Sequence, residues 1–205
     1  MPEMFVALDG EMSGTTPRHQ LIQIGVAVTP QQVFVSDIGC GCPLLDPDAM
    51  AVNGFTKERV LSGPRAQSRD PDGEGVDDQL YRWLVNLGAE ERRCIPVGWN
   101  VGSFDMPFVR RTLPRTATLF GYRAVDLNSA CFTLAGCFGQ VLRKQEPGWA
   151  GWKRMSKRYA ERRLAEMGYT ATWHDAGYDA QAALLSWEFL KKVIQDPKGA
   201  LALAS

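Results

Sequence analysis

The sequence predicts an α/β domain in which an antiparallel three-strand meander is followed by strands that alternate with helices. Three apolar runs, at 4–12, 20–28 and 33–38, the second rich in β-branched residues, stand close enough together to form a meander. From residue 76 onward, segments with helical spacing alternate with short apolar runs, the pattern of a sheet with parallel members. With 205 residues, of which 45% are hydrophobic, the chain can bury one sizeable core without staples and reads as a single domain over 1–205.

In the first strand, residues 4–12, the period of two puts Asp9 and Glu11 on one face. Thr15-Thr16-Pro17-Arg18 is a turn, and the second strand, 20–28, is bounded by Pro30. Gln31-Gln32 separates it from the third strand, 33–38. Residues 40–48 are loop, and 49–61 is a mixed piece in which Thr56 offers a helix start. Glycines and prolines mark 62–75 as a surface loop. Leu80, Trp83, Leu84 and Leu87 recur at helical spacing, with Gly88 as the cap. Residues 94–100 read as a buried strand entering a loop, 104–112 as a helix, and Ala124-Val125-Asp126 as the end of a further strand. A helix over 127–142 turns Leu134 and Leu142 inward. Between 143 and 163 there are eight basic residues and two acids. There, Met155, Tyr159, Ala160 and Leu164 face a core, while Lys153, Arg154, Lys157, Arg158 and Arg162 point outward. The last helix, 177–195, carries Ala180, Ala183, Leu184, Trp187 and Ile194 on one side.

Composition excludes little by itself. Twenty-three basic and 23 acidic residues cancel, so any nucleic-acid signal must be local. Five cysteines without a C-x-x-C pair read as free thiols in a reducing compartment, and Cys40-x-Cys42 lacks the second pair a zinc site needs. No basic leader opens the chain and no run of apolar residues is long enough to span a bilayer, so the expectation is a cytoplasmic protein without a membrane partner.

Three segments hold polar residues that local structure does not require. Asp9 and Glu11 repel each other from one rigid strand; a hard divalent cation would neutralise them, and an exposed strand end is the bland alternative. Asn100 and Asp105 lie where a strand hands over to a helix, the edge at which α/β proteins place sites, although Asp105 can equally be a helix N-cap. Gly98 and Gly102 make no phosphate loop, since no G-K-[ST] follows, and no G-x-G-x-x-G follows the first strand. In Trp173-His174-Asp175-Ala176-Gly177-Tyr178-Asp179, Asp179 shares the apolar face of the last helix and needs a partner. His174 would approach from the loop before that helix, while His19 sits in a turn without an evident task.

Taken in order, Asp9-x-Glu11, Asn100 with Phe104-Asp105, and His174-x-Ala176-x-x-Asp179 resemble the motifs of the DEDD exonuclease superfamily, in its histidine-containing branch. The run 20–28 resembles that family's second strand and Val52-Asn53-Gly54-Phe55-Thr56 a segment found after the meander, so the likeness covers about 4–195, the extent expected of the catalytic core. It implies a ribonuclease H-like fold, a mixed five-stranded sheet of meander plus parallel strands flanked by helices. It further implies a metal-dependent 3′-to-5′ exonuclease acting on single-stranded DNA or RNA, with homodimerisation as in RNA-trimming relatives. Gly10 departs from the larger residue many relatives carry, and Trp99 stands where they often have histidine. Met12-Ser13-Gly14 is closer to the oligoribonuclease-like spelling of the first motif.

On that resemblance Asp9, Glu11, Asp105 and Asp179 hold two Mg²⁺ or Mn²⁺ ions, Asp9 bridging both. Such ions would offset carboxylate repulsion of roughly 4 kcal/mol per pair at 4 Å. His174 is the general base, so activity should rise through about pH 6 to 8. Met12, Asn100, Phe104 and Tyr178 are the candidate substrate contacts, with a core role equally open for Phe104. The basic segment 143–163 is either a backbone-tracking stripe or a solvated helix face. A binding module on the same fold without catalysis is the alternative function.

Overall fold

A computed structural model describes residues 2–41, 43–68, 73–138, 148–170, 174–197 and 199. Five strands, β1 (Glu3–Met12), β2 (Leu21–Thr29), β3 (Gln32–Asp37), β4 (Arg93–Gly98) and β5 (Val125–Asp126), form one sheet in the order β3-β2-β1-β4-β5. β1 pairs antiparallel with β2 and β2 with β3, whereas β4 runs parallel to β1 and to β5. The expected meander with parallel strands is the observed sheet.

Alternation along β1 divides the molecule into two cores. Met4, Val6 and Leu8 pack with α3 (Val76–Asn86) and α4 (Asp105–Thr112). Phe5 and Ala7 point to the other face, where α6 (Leu127–Phe138), α7 (Trp149–Glu166) and α8 (Ala176–Gln195) lie. Asp9 and Glu11 continue the second set toward the C-terminal end of the strand. That end adjoins the ends of the parallel strands β4 and β5, so the acids stand at the sheet edge where such folds collect functional loops.

Several expectations are corrected. The mixed piece at 49–61 is two helices, α1 (Pro47–Asn53) and α2 (Lys57–Ser62), separated because Gly54 takes a left-handed φ of 70° and Thr56 then caps α2. A last short helix, α5 (Pro114–Ala117), packs against α3. The helix expected over 127–142 is described to Phe138, and Leu142 lies outside the described residues, as does Cys42. Ile194 is 55% exposed, because α8 packs on both the sheet and α7 and turns Phe189, Leu190 and Val193 inward instead. On α7, Trp152 and Ser156 are fully buried, and Lys153 and Lys157 are half-buried rather than outward. Their ammonium groups stand 4.9 and 5.6 Å from the centre of the Trp99 ring. Cys40, Cys94, Cys131 and Cys137 are free thiols. His19 serves its own turn, Nδ1 lying 3.0 Å from the Thr16 amide. No described helix is long and apolar enough to cross a membrane.

Candidate active site

The end of β1 brings two acids to the site and holds a third. Pairing between β1 and β2 shifts register between Glu11 and Met12, and the buried Asn53 amide secures the strand there by donating to the Met12 carbonyl at 3.1 Å. Glycine at position 10 has a structural reason. A β-carbon there would meet Leu21 at 2.7 Å, and the Gly10 N–H donates to Asp105 Oδ1 at 3.1 Å. Asp105 is therefore not the cap of α4. That position falls to Phe104, while Asp105, in the first turn and 4% exposed, reaches across to β1.

The third segment is delivered by α8. Gly25, paired with Asp9 in the sheet, lies directly beneath the helix start, where a β-carbon would come within 1.9 Å of the Ala176 carbonyl oxygen. The buried Gln23 accepts from the Ala176 N–H at 2.9 Å and donates to Asp37 Oδ1 at 2.9 Å. Arg59 completes this brace with two hydrogen bonds to Asp37, at 2.7 and 2.8 Å. Asp175 caps α8 by accepting from Gly177 and Tyr178. His174, just ahead of the helix, adopts φ 65°, and Asn100 adopts φ 60°; they are the two non-glycine residues with positive φ among the described residues, and both belong to the motif loops.

The result is a cup. One carboxylate oxygen each from Glu11 and Asp179 and a ring nitrogen of His174 lie within 4.8 Å of one another. The His174 N–H donates to Asp179 Oδ2 at 2.9 Å, while Asp179 Oδ1 is buried without a hydrogen-bond partner among the described residues. Burial pushes all four acids up, and for Asp9 and Glu11 the charges of the neighbouring cup acids add to it. Glu11 rises to about 8 under burial and the charges of Asp179 and Asp105. Asp105 rises to about 7 through burial, held down in part by the Gly10 N–H. Asp179 rises to about 6 through burial, opposed by the His174 N–H and the Lys157 charge. Asp9, beside all three, sits well above the ordinary carboxylate range, mainly through burial and Asp105. Four carboxyls so shifted, one with an unpartnered buried oxygen, and a nearby imidazole form a hard-oxygen donor set that fits divalent cations of the magnesium or manganese type.

The candidate substrate contacts divide. Met12 and Phe104 line a cleft of about 470 Å³ beside Glu11, together with residues of α1, and Phe104 also packs on Phe108 at 5.6 Å. Asn100 does not line this cleft; its side chain accepts from the Asn128 amide at 2.8 Å. Tyr178 is 6% exposed and packs among Ala160, Leu164, Ala182 and Leu185, because α8 presents that position to α7, and it also lines a separate cleft with Val33, Val35 and Asp175. Lys157 acts on Asp9 and Asp179 from α7. Asn128 and the seating of Lys153 and Lys157 on Trp99 were not read from the sequence, where these lysines stood only within the basic segment 143–163. The recurrence of Trp149, Lys153 and Lys157 every four residues was their available signal.

No family model matches the chain, and no curated protein matches it. Solved structures do, and they define its class by fold: the chain has the ribonuclease H-like arrangement of exonuclease I. The zinc-bound E. coli exonuclease I complex with single-stranded DNA superposes at TM-score 0.58 and 17% identity, over 96% of this chain and 42% of that one. E. coli exonuclease I with a dT13 oligonucleotide gives 0.59 and 16%, over 96% and 42%, and a product-bound exonuclease I gives 0.58 and 17%, over 94% and 44%. The chain thus spans less than half the length of the structures it resembles.

Proposed function

We propose that residues 1–205 form a metal-dependent 3′-to-5′ exonuclease domain acting on single-stranded DNA or RNA, of the histidine-containing type. The observation that carries the reading is the convergence of Asp9 and Glu11, Asp105, and His174 with Asp179 from three remote segments onto one cup. The exonuclease I likeness, which includes complexes with single-stranded DNA, supports the same class.

Asp9, Glu11, Asp105 and Asp179 would hold the two ions. When bound, these supply Lewis acidity toward the phosphodiester and a more acidic water. The rest belongs to the chain. His174 accepts the proton of the attacking water through its ring nitrogen, which requires the neutral imidazole. Its backbone N–H holds Asp179 Oδ2, so the base and one ligand move as a unit. Water oxygen bonds to the terminal phosphorus, the bond from phosphorus to the 3′ oxygen of the penultimate nucleotide breaks, that oxygen takes up a proton from solvent to become the new 3′-hydroxyl, and a 5′-mononucleotide leaves. Met12 and Phe104 line the cleft for the terminal nucleoside, and Asn100, held by Asn128, would contact the strand. Tyr178 packs against α7 and also lines a separate cleft beside β3.

Matched 3′- and 5′-labelled DNA and RNA oligomers of several lengths, incubated with magnesium or manganese and with chelator, test this. The expected result is a ladder of single-nucleotide shortening from the 3′ end that chelator stops. Binding without shortening would instead favour a non-catalytic module.

A further inference from the structure

The wall opposite the acids is built from the middle of the chain. Trp99 follows β4, and Asn128 opens α6. Lys153 and Lys157 lie one turn apart on α7, with Trp149 one turn before them. Lys153 Nζ donates to Asn128 Oδ1 at 3.1 Å, and Asn128 donates to Asn100 Oδ1 at 2.8 Å, so a hydrogen-bonded chain ties this lysine to the motif loop. Its ammonium stands 4.9 Å from the Trp99 ring centre and 5.8 Å from that of Trp149, and Lys157 Nζ stands 5.6 Å from Trp99. Both lysines are half-buried.

Two ammonium groups seated on one indole repel each other. Burial, then the charge of Lys157, lowers the basicity of Lys153. Lys157 is also close enough to the acids for its charge to act on both Asp9 and Asp179. An anion between the two lysines would relieve their repulsion, and a strand entering the cup brings phosphates past this wall. A solvated helix face would instead leave the long side chains extended into water.

We propose that Lys153 and Lys157, aligned by Trp99 and Asn128, form a phosphate-binding site for the backbone of the single strand as it enters the acid cup. The inference rests on the exonuclease reading, and it assigns strand grip to α7, outside the acid motifs. It also makes two effects of opposite sign. Removing a lysine charge weakens the hold on the strand, yet leaves less positive charge near the acids, so divalent-cation binding is unchanged or tighter.

The test uses Lys153→Met, Lys157→Met and Lys157→Arg in the full chain. Binding of a fluorescent 12-nucleotide single strand is followed by anisotropy in calcium over a range of salt, and magnesium binding is followed by thermal shift without nucleic acid. Each methionine variant should weaken strand binding by about tenfold. Each should also reduce the salt slope by about 0.7. Neither should weaken magnesium binding, and Lys157→Arg should retain strand affinity. Unchanged affinity and slope in both methionine variants would overturn the assignment, and so would a parallel loss of magnesium binding, which marks a structural role. If the wild-type chain shortens oligomers while both variants bind normally, only this inference falls; if it neither binds nor shortens them, both readings fall.

Discussion

Asp37 and Asp179 flank the entry to α8, and the molecule treats their carboxylates in opposite ways. Burial raises Asp37 too, but hydrogen bonds from Arg59 and Gln23 outweigh it and hold Asp37 below the usual carboxylate range. Asp179 is pushed up to about 6, chiefly by burial, with one buried oxygen unpartnered among the described residues. The same few residues therefore contain a neutralised acid that braces the fold and a set of acids left for something else to neutralise. Strong perturbation by burial and like charge, within reach of a cleft, is what distinguishes a site from a structural ion pair.

Breaking the cup at its centre should have the largest effect. Asp9→Asn is expected to lower hydrolysis by on the order of 10³-fold or more. It should also raise the melting temperature in chelator at pH 8, because it removes a buried charge from the other three acids. Activity and thermal unfolding of the same preparation check both halves. Next comes the base: His174→Ala should reduce kcat by ~10²–10⁴-fold, read from initial rates with saturating magnesium.

Stability should separate the two regions by sign. For the cup acids the folded pKa lies above the unfolded one, so their contribution is complete below the ordinary carboxylate value of about 4 and is lost as pH rises from there to about 8, the folded values being about 6 for Asp179, about 7 for Asp105 and about 8 for Glu11. In chelator the melting temperature should fall across that window by ~5 °C or more, and magnesium should restore it at the upper end. Asp37 behaves the other way. Its folded pKa is depressed, so its contribution is present above the unfolded value and is lost as pH falls through the folded one. The smallest effect is therefore Asp37→Asn, costing about 1 kcal/mol at neutral pH and nothing at low pH, measured by denaturant unfolding.

The legible parts of the sequence were those governed by period and punctuation. The meander, the Thr56 cap and the shared face of Asp9 and Glu11 follow from local pattern. The cup followed only because its three motifs could be read as one ordered set; no single one specifies where the others lie. What stayed hidden depends on two elements meeting. Gly25 reads as a gap in a strand until α8 is seen to rest on it. Asp105 has the spelling of an N-cap, and only the approach of β1 gives its carboxylate a different donor. The lysines of α7 look outward because helical-face arguments treat polar as solvent-facing, whereas here the facing surface is itself charged. Tyr178 beside a motif looks like a base-stacking residue, yet the packing of α8 on α7 takes it into a core.

The central claim, that the four acids form a divalent-cation site, is tested most directly by calorimetric titration of manganese into the protein without nucleic acid. Near pH 6.5, in two buffers of different ionisation enthalpy, binding should release protons, because carboxyls held protonated by burial must ionise to ligate. The release should diminish above about pH 8, where Glu11 ionises, and binding should be lost in Asp9→Asn. Manganese binding that releases no protons at pH 6.5, or that survives in Asp9→Asn with unchanged affinity, would contradict the account.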